Sequence, residues 1–250
     1  MLQLLNITKN FPMKAEAALK DINLQISFGD YCVILGSNGS GKSTLLKVIS
    51  GEYKIGMGKI ILNNNDITKQ SLQQRSSSIS SVNQDINKGT ISELSIYENL
   101  VLSTMRARSG RLKFYTNKLS VISEQVAKLS LGLEKILNKP MSFLSGGQRQ
   151  AIATLMALYP KPELLLLDEH TSALDPKSRD KILTFTDGYI KENNITTLMI
   201  THNIADAAKY GNRLIIMNHG KIVFDVRDKD KKNLTEQDIL TSINKLSTPL

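Results

Sequence analysis

Gly36-Ser37-Asn38-Gly39-Ser40-Gly41-Lys42-Ser43-Thr44 fits the pattern G-x-x-x-x-G-K-[ST] at every fixed position. The short apolar run Tyr31-Cys32-Val33-Ile34-Leu35 precedes it and is typical of a buried parallel strand. Apolar residues then recur at helical spacing from Leu45 to Ile49. The sequence therefore predicts a loop between a strand and a helix N-terminus, where N–H groups and the helix dipole favour anions.

The stretch Gly36–Thr44, called the phosphate loop below, has the side chains that a nucleotide needs. Its glycines let the backbone wrap around phosphate oxygens. Lys42 is expected to reach the β- and γ-phosphates, the Ser43 hydroxyl to ligate Mg²⁺, and Thr44 to support the phosphates. A Gly/Ser-rich turn that happens to contain a lysine is the alternative.

Composition limits the class of protein. The chain has 250 residues, of which 41% are hydrophobic and 22% charged, so it can form one large domain or a domain with a subdomain. The single cysteine, Cys32, excludes an intramolecular disulfide and favours a reducing compartment. No secretory signal and no run of roughly 18 apolar residues is present, so a cytosolic chain is expected unless something else holds it to a membrane.

The formal net charge of +9 suits polyanionic ligands, anionic lipid surfaces or nucleic acid. It fits a soluble surface with excess lysine equally well. A basic section contributes to it and is either a solvated loop or a contact with a partner or with lipid headgroups; it contains Arg106, Arg108, Arg111, Lys113 and Lys118.

The segment before the phosphate loop alternates apolar and polar residues from Leu2 to Ile7 and from Ile22 to Phe28, which predicts antiparallel strands. Phe11 lies between them and either stacks on an adenine ring or is a hydrophobic residue at a strand end. After the first helix we expect a turn at 56–58, a strand at 59–62 and a turn at 63–66.

Polar side chains follow several predicted strands. A strand at 79–82 leads to Gln84, which can reach Mg²⁺ or the attacking water, or is only solvated. Leu164 to Leu167 end in Asp168 and Glu169, which suit an Mg²⁺ partner and a general base or water positioner. A strand at 196–201 delivers His202 to the same kind of edge, although a lone histidine is often structural.

Residues 89–160 are expected to be mainly helical. Ser145-Gly146-Gly147-Gln148 introduces a helix that carries Ala151 to Leu158, and it is either an anion-binding helix start or an N-cap after a flexible turn. Near the C-terminus we expect a hairpin at 218–220 and a charged linker at 227–232. Thr235 with Asp238 is expected to cap a last helix.

Together, the phosphate loop, Gln84, Leu144 to Gln148, Leu167-Asp168-Glu169, Ser172-Ala173-Leu174-Asp175 and His202 resemble the ATP-binding-cassette (ABC) ATPases over nearly the whole chain. The resemblance implies an α/β fold. Its core is a P-loop NTPase core of mixed sheet and helices, with an N-terminal antiparallel β subdomain and an inserted α-helical subdomain. We expect a single nucleotide-binding domain divided at 1–88, 89–160, 161–226 and 227–250.

The resemblance also implies a head-to-tail homodimer with each ATP between the phosphate loop of one subunit and Ser145 to Gln148 of the other. Phe11 would stack on adenine, and Gln84 would contact Mg²⁺ and sense the partner. Glu169 would polarise the attacking water and His202 would contact the γ-phosphate. Ser172 to Asp175 would cross the interface.

This sequence departs from the usual pattern of the family at two places. His170 stands where most of the family has proline, and Arg149-Gln150-Ala151-Ile152-Ala153-Thr154 lacks an arginine that is common near its end. Asp-Glu-His-Thr, from Asp168 to Thr171, resembles one branch of bacterial uptake ATPases. Those work at the cytoplasmic face of the membrane with separate permeases and substrate-binding proteins, and some are linked to tryptophan or tyrosine uptake.

Two other functions fit less well. Family members that act on nucleic acid or ribosomes carry a long coiled coil or two cassettes, and only about sixty residues separate Gln84 from Leu144 here. A nucleotide-binding regulator without turnover predicts the loss of Glu169 or His202, and both are present. We therefore expect a transport ATPase and no nucleic-acid partner.

Overall fold

The computed structural model describes residues 1–12, 16–85, 89–105, 119–172 and 174–247. They form two compact units, the first from Met1–Arg75 and Ile195–Leu250 and the second from Ser76–Asn194. The basic section around 106–118 and Ala173 lie outside the described residues. Within the described ranges, no helix combines the length and the apolar character needed to cross a membrane.

Strands and helices alternate along the chain in three parts. The first part of the chain has β1 (Leu2–Lys9), β2 (Leu19–Ile26), β3 (Tyr31–Gly36), α1 (Lys42–Ser50), β4 (Met57–Leu62), β5 (Asn65–Asp66) and α2 (Leu72–Arg75). The middle has β6 (Ile79–Val82), α3 (Ile96–Met105), α4 (Leu119–Ala127), α5 (Gly146–Leu158), β7 (Leu164–Asp168) and α6 (Pro176–Asn193). The last part has β8 (Thr196–Ile200), α7 (Ile204–Lys209), β9 (Arg213–Asn218), β10 (Lys221–Arg227), α8 (Asp228–Lys232) and α9 (Glu236–Ser247).

An antiparallel sheet in the order β2-β1-β4-β5 confirms the strands predicted before the phosphate loop. Its alternating apolar residues are buried up to Ile26, but Phe28 lies beyond β2 in a turn and is 72% exposed. The predicted turn at 56–58 is wrong at Met57, where β4 already begins. The turn at 63–66 is shorter than predicted, because Asn63 and Asn64 both adopt positive φ and complete a tight hairpin into β5.

A second sheet of the first unit has β3 at its centre and confirms the predicted buried parallel strand. β3 runs parallel to both β8 and β9, and β10 pairs with β9 in antiparallel fashion. Residues 31–35 are all buried, as are those of β8. Burial raises the pKa of the Cys32 thiol well above its usual range, so this cysteine is an apolar core residue.

The second unit combines a parallel pair of strands with helices. β6 and β7 pair from Ile79 opposite Leu164 to Val82 opposite Leu167. Most of residues 89–160 that are described are helical, as predicted. Their apolar faces pack into one cluster that includes residues of α3, α4, α5 and α6, among them Leu100, Val126, Ile152, Leu155 and Ile182.

The charged linker predicted at 227–232 is wrong, because residues 228–232 form α8. Lys231 explains the difference: its side chain is buried, and Nζ donates hydrogen bonds to the carbonyls of Ala208 (2.8 Å) and Tyr210 (2.7 Å), where α7 ends. Because Ala208 and Tyr210 are far from Lys231 in the sequence, no local sequence pattern predicts α8. The predicted cap of α9 is confirmed, since Thr235 Oγ1 accepts from Asp238 N and Asp238 Oδ2 accepts from Thr235 N.

The β9–β10 hairpin is held at its open end by an ion pair between the buried Arg213 and the partly exposed Asp225. The Arg213 guanidinium donates to both carboxylate oxygens of Asp225, at 2.7 and 2.5 Å, and to the Gln25 carbonyl at 2.6 Å. Arg213 is 1% exposed, so its charge is satisfied almost entirely within the protein.

We expect Arg213→Met to lower the free energy of unfolding by about 2 kcal/mol or more, because Asp225 and the Gln25 carbonyl lose their charged donor. Chemical denaturation followed by circular dichroism measures this loss. The control is Lys191→Met, which breaks the pair of Asp187 with a lysine side chain that is 66% exposed, and it should cost about 0.5 kcal/mol or less. Equal losses in the two variants would contradict the importance of the buried Arg213 side chain.

Candidate functional site

The phosphate loop has the strand–loop–helix geometry that its sequence predicts. It leaves β3 at Gly36 and enters α1 at Lys42, with Gly41 as the N-cap at φ +102°. A Cβ built on Gly41 would lie 2.5 Å from the Ala18 carbonyl oxygen, so only glycine fits at this position. The backbone is thus set to present the N–H groups of the first turn of α1 to an anion.

Lys42 is folded over the loop that contains it. Its Nζ donates to the carbonyls of Gly36 and Ser37, both at 2.9 Å, and the residue is 5% exposed. No acidic residue lies in the first turn of α1. The ammonium and the helix N-terminus therefore both place positive charge at the phosphate loop.

Phe11 is part of an aromatic pair that sequence reasoning did not find. Its ring meets Tyr53 edge to face, with centroids 5.3 Å apart and planes at 81°. Lys9 Nζ lies 4.9 Å from the Phe11 centroid, and Lys47 Nζ lies 5.3 Å from that of Tyr53. The signal for Tyr53 is its place just after α1, but its contact with Phe11 depends on the tertiary fold.

His202 follows β8, which lies beside β3 in the same parallel sheet. Ile34 pairs with Ile200, and Thr201 N donates to the Ile34 carbonyl at 3.3 Å. The carboxyl ends of both strands therefore meet at one edge, with the phosphate loop after β3 and His202 after β8. Asn203 caps α7 directly after it by accepting from Asp206 N. Phe11, the phosphate loop and His202 thus all belong to the first unit.

Gln84, Asp168 and Glu169 lie together in the second unit. β6 and β7 are parallel, so their carboxyl ends deliver Gln84 and the two acids to one edge. Gln84 Nε2 lies 3.3 Å from Glu169 Oε2 and donates to it. Glu169 adopts a left-handed backbone at φ +48°, a strained conformation for a non-glycine residue that is often found at functional sites.

Ser145 to Gln148 form the N-terminus of α5, and the N-cap interpretation of this segment is confirmed. Ser145 Oγ accepts from Gln148 N at 3.3 Å, and Gln148 Oε1 accepts from Ser145 N at 3.0 Å, which is a capping box. A Cβ on Gly146 would meet no atom within 4 Å, so this side of the helix start is open. The segment lies in the second unit, with Gln84, Asp168 and Glu169.

Comparison with known proteins decides the family. The family model described as ABC transporter matches residues 19–172, which contain the phosphate loop, Gln84, Ser145 to Gln148, Asp168 and Glu169. This chain belongs to the ABC transporter family. It is therefore an ATP-binding and ATP-hydrolysing transporter subunit, as the sequence predicts.

Near full-length relatives support this assignment to the ABC transporters. A tyrosine transport ATP-binding protein of Clostridioides difficile is 41% identical over 96% of this chain and 97% of its own. A phosphonates import ATP-binding protein of Treponema denticola is 32% identical over 98% and 96%. The solved dimer of the ATP-binding cassette MJ0796 in a post-hydrolysis state, bound to ADP and Pi, aligns with a TM-score of 0.78 and 31% identity, covering 91% of this chain and 98% of that one.

His170, next to Glu169, is a buried histidine of this ABC subunit. It is 3% exposed, and its Nε2 has no hydrogen-bond partner among the described residues. Burial lowers its pKa from 6.5 to about 4, so the imidazole is neutral in the folded protein near neutral pH. The unfolded chain binds a proton at this residue more readily than the native chain does.

We expect acid to destabilise the protein through His170. The folded pKa is lower than the unfolded one, so the stability from a neutral His170 is complete above pH 6.5 and is lost as the pH falls towards 4. Between pH 7 and 5 the wild type should lose about 2 kcal/mol more unfolding free energy than His170→Gln does. Denaturant titrations at the two pH values measure the difference. A wild-type loss equal to that of His170→Gln would contradict the prediction.

Proposed function

We propose that this chain drives an importer by forming a head-to-tail homodimer around ATP. The observation that carries the proposal is the presence of two helix N-termini suited to anions, the phosphate loop at α1 and the Ser145-capped start of α5. In the dimer, each ATP lies between the phosphate loop of one copy and Ser145 to Gln148 of the other. The dimeric MJ0796 cassette with ADP and Pi supports this arrangement.

The first unit binds ATP through groups that its fold holds in place. Lys42 exchanges its two carbonyl partners for the β- and γ-phosphates, and Ser37, Asn38, Gly39, Ser40 and Thr44 surround the phosphates. Phe11 stacks on adenine while Tyr53 packs against its ring. His202 contacts the γ-phosphate from the end of β8.

The second unit supplies the groups that act on water. Glu169 polarises the attacking water, and its hydrogen bond from Gln84 together with its strained backbone fixes the direction of its carboxylate. Through this hydrogen bond, Gln84 makes the position of the Glu169 carboxylate depend on whether the partner copy is bound. Ser172 to Asp175 lie at the dimer interface, and Asp175 caps α6 by accepting from Ser178 N.

The residues fit Mg²⁺ by the chemistry of their donors. The Ser43 hydroxyl, the Gln84 amide oxygen and the Asp168 carboxylate are hard oxygen ligands, which Mg²⁺ prefers alongside phosphate oxygens. When bound, the ion neutralises charge on the phosphates. No group of three or more His, Cys, Asp or Glu side chains suited to a metal occurs within the described ranges.

Hydrolysis then depends on positive groups arranged before the reaction. Lys42 and the N-terminus of α5 stabilise the charge on the transferred phosphoryl group, and His202 orients it. Glu169 takes the proton of the attacking water. ATP-dependent closure supplies the force for transport, and hydrolysis separates the two copies again. We propose that residues 1–250 act here as one nucleotide-binding domain.

A groove of the second unit is suited to a membrane partner. It has a volume of about 280 Å³, and its wall includes the exposed apolar side chains Ile91 (47% exposed) and Leu102 (39% exposed). The remaining lining residues are Gly89, Thr90, Asn99, Ser103 and Met156. We propose that a cytoplasmic segment of a separate permease docks in this groove and holds the subunit peripherally at the cytoplasmic face of the membrane.

The transported solute is proposed to be an amino acid, with an aromatic one favoured. The support is the 41% identity over 96% of this chain to the tyrosine transport ATP-binding protein. A substrate-binding protein outside the cytoplasm would deliver the solute to the permease, so its specificity residues lie on other polypeptides.

Affinity purification of tagged Glu169→Gln protein from detergent-solubilised native membranes, with MgATP present, tests the transport function. We expect a polytopic membrane protein to co-purify. Leu102→Arg in the same background should lose that protein, because it places a charge in the groove. Leu119→Arg is the matched control, since Leu119 is an exposed leucine outside the groove and its substitution should retain the partner.

Recovery of ribosomes or nucleic acid without a membrane protein would contradict the transport function. Retention of the membrane protein by Leu102→Arg would contradict the docking site alone. With the permease and its binding protein reconstituted, tyrosine should raise ATP hydrolysis more than a non-aromatic amino acid does.

A further inference from the structure

The turn at His219 and Gly220 joins β9 to β10 and lies against the phosphate loop. We propose that this turn is a positioning element of the nucleotide site, which fixes the phosphate loop relative to the segment that carries Phe11. The proposal rests on ATP binding at Gly36–Thr44 and is independent of dimerisation, import and the permease.

The hairpin contacts the phosphate loop near its beginning and near its end. At the beginning, Gly36 pairs with Met217 of β9, and a Cβ on Gly36 would collide with the Met217 carbonyl oxygen. Near the end, Gly220 N donates to the Ser40 carbonyl at 3.0 Å. A Cβ on Gly41 would lie 3.5 Å from Gly220 Cα. The hairpin therefore supports the loop backbone directly before the helix N-terminus that binds phosphate.

The same turn also contacts the start of β2. Lys20 N donates to the Gly220 carbonyl at 2.8 Å, so Gly220 uses its N–H on one segment and its carbonyl on another. Just before β2, Ala18 N donates to the Lys9 carbonyl at 2.8 Å and so closes the two ends of the segment that joins β1 to β2. Phe11 follows Lys9 by two residues. The turn thus connects the phosphate loop with the segment that carries Phe11.

The Ala18 carbonyl oxygen is the point at which the three segments meet. It would lie 2.5 Å from a Cβ on Gly41 and 2.9 Å from a Cβ on Gly220. Gly220 is buried and has φ +78°, so a side chain there meets both a strained backbone and a fixed carbonyl. Any side chain at 220 must therefore push the turn away from Ser40, from Ala18, or from both.

The rest of the hairpin cannot easily move to relieve such a strain. Its open end is held by the hydrogen-bonded ion pair of Arg213 and Asp225, and β9 is paired along its length with β3. A displacement of the turn at Gly220 therefore also displaces the phosphate loop and the segment that carries Phe11. Both of these segments contact ATP in the proposed site, so the predicted effect is on nucleotide affinity.

Gly220→Ala in the full chain tests the proposal. We expect the Kd of a fluorescent ATP analogue with Mg²⁺ and the KM for ATP to rise about tenfold, with kcat at saturating ATP within about twofold of the wild type. The matched control is Gly211→Ala. Gly211 has φ +72°, and a Cβ there would collide with the Tyr31 carbonyl oxygen at the opposite end of β9.

The control separates positioning from stability. Gly211→Ala should lower Tm at least as much as Gly220→Ala but leave the Kd and KM at wild-type values. If Gly220→Ala does not fold, Gly220→Asn replaces it, because asparagine tolerates positive φ while its Cβ still meets the Ala18 carbonyl. We expect Gly220→Asn to fold and to bind the nucleotide more weakly than the wild type.

Wild-type affinity in the folded Gly220 variants, or an equal loss in Gly211→Ala, would overturn the role of the turn. These results would leave the proposed transport function intact. A wild-type chain that fails to bind MgATP would overturn both.

Discussion

A phosphate chain carries several negative charges, and this protein stabilises them with backbone N–H groups that are exposed at the start of α1. Such a backbone requires positive φ at Gly36, Gly39 and Gly41, and these three positions have no side chain that could hold the loop in place. Its neighbours therefore hold it: β9 at Gly36, the β9–β10 turn at Ser40, and the Ala18 carbonyl at Gly41. Three separate segments of the first unit therefore contact this loop.

Part of the positive charge of the chain serves the fold instead of a ligand. Arg75, Arg213 and Lys231 are buried, and each donates to backbone carbonyls, such as those of Val48 and Ile49 at the end of α1 for Arg75. A buried cation satisfies carbonyls that a helix end leaves without partners. The net charge of +9 is therefore a poor guide to polyanionic partners, and the glycine and serine segments at α1 and α5 are a better one.

Sequence patterns predicted those elements whose structure depends on residues that are close together in the chain. The buried strand β3, the helix after the phosphate loop, the helix that Ser145 to Gln148 introduce and the cap of α9 all follow from neighbouring residues, and the structure confirms them. The packing of Tyr53 on Phe11, the hydrogen bond from Gln84 to Glu169 and the dependence of α8 on Lys231 join residues far apart in the sequence. No spacing rule reveals such contacts, because the tertiary fold creates them.

The claim that each ATP site is built from two copies is tested most directly by mixing two inactive variants. Lys42→Ala damages the phosphate loop, and Ser145→Arg damages the start of α5. In a head-to-tail dimer the mixed pair keeps one intact site, so roughly a quarter of the wild-type ATPase activity should return on mixing equal amounts. Lys42→Ala mixed with Glu169→Gln is the control and should stay inactive, since it leaves a defect in both sites. No recovery with Ser145→Arg, or equal recovery in both mixtures, would contradict the shared site.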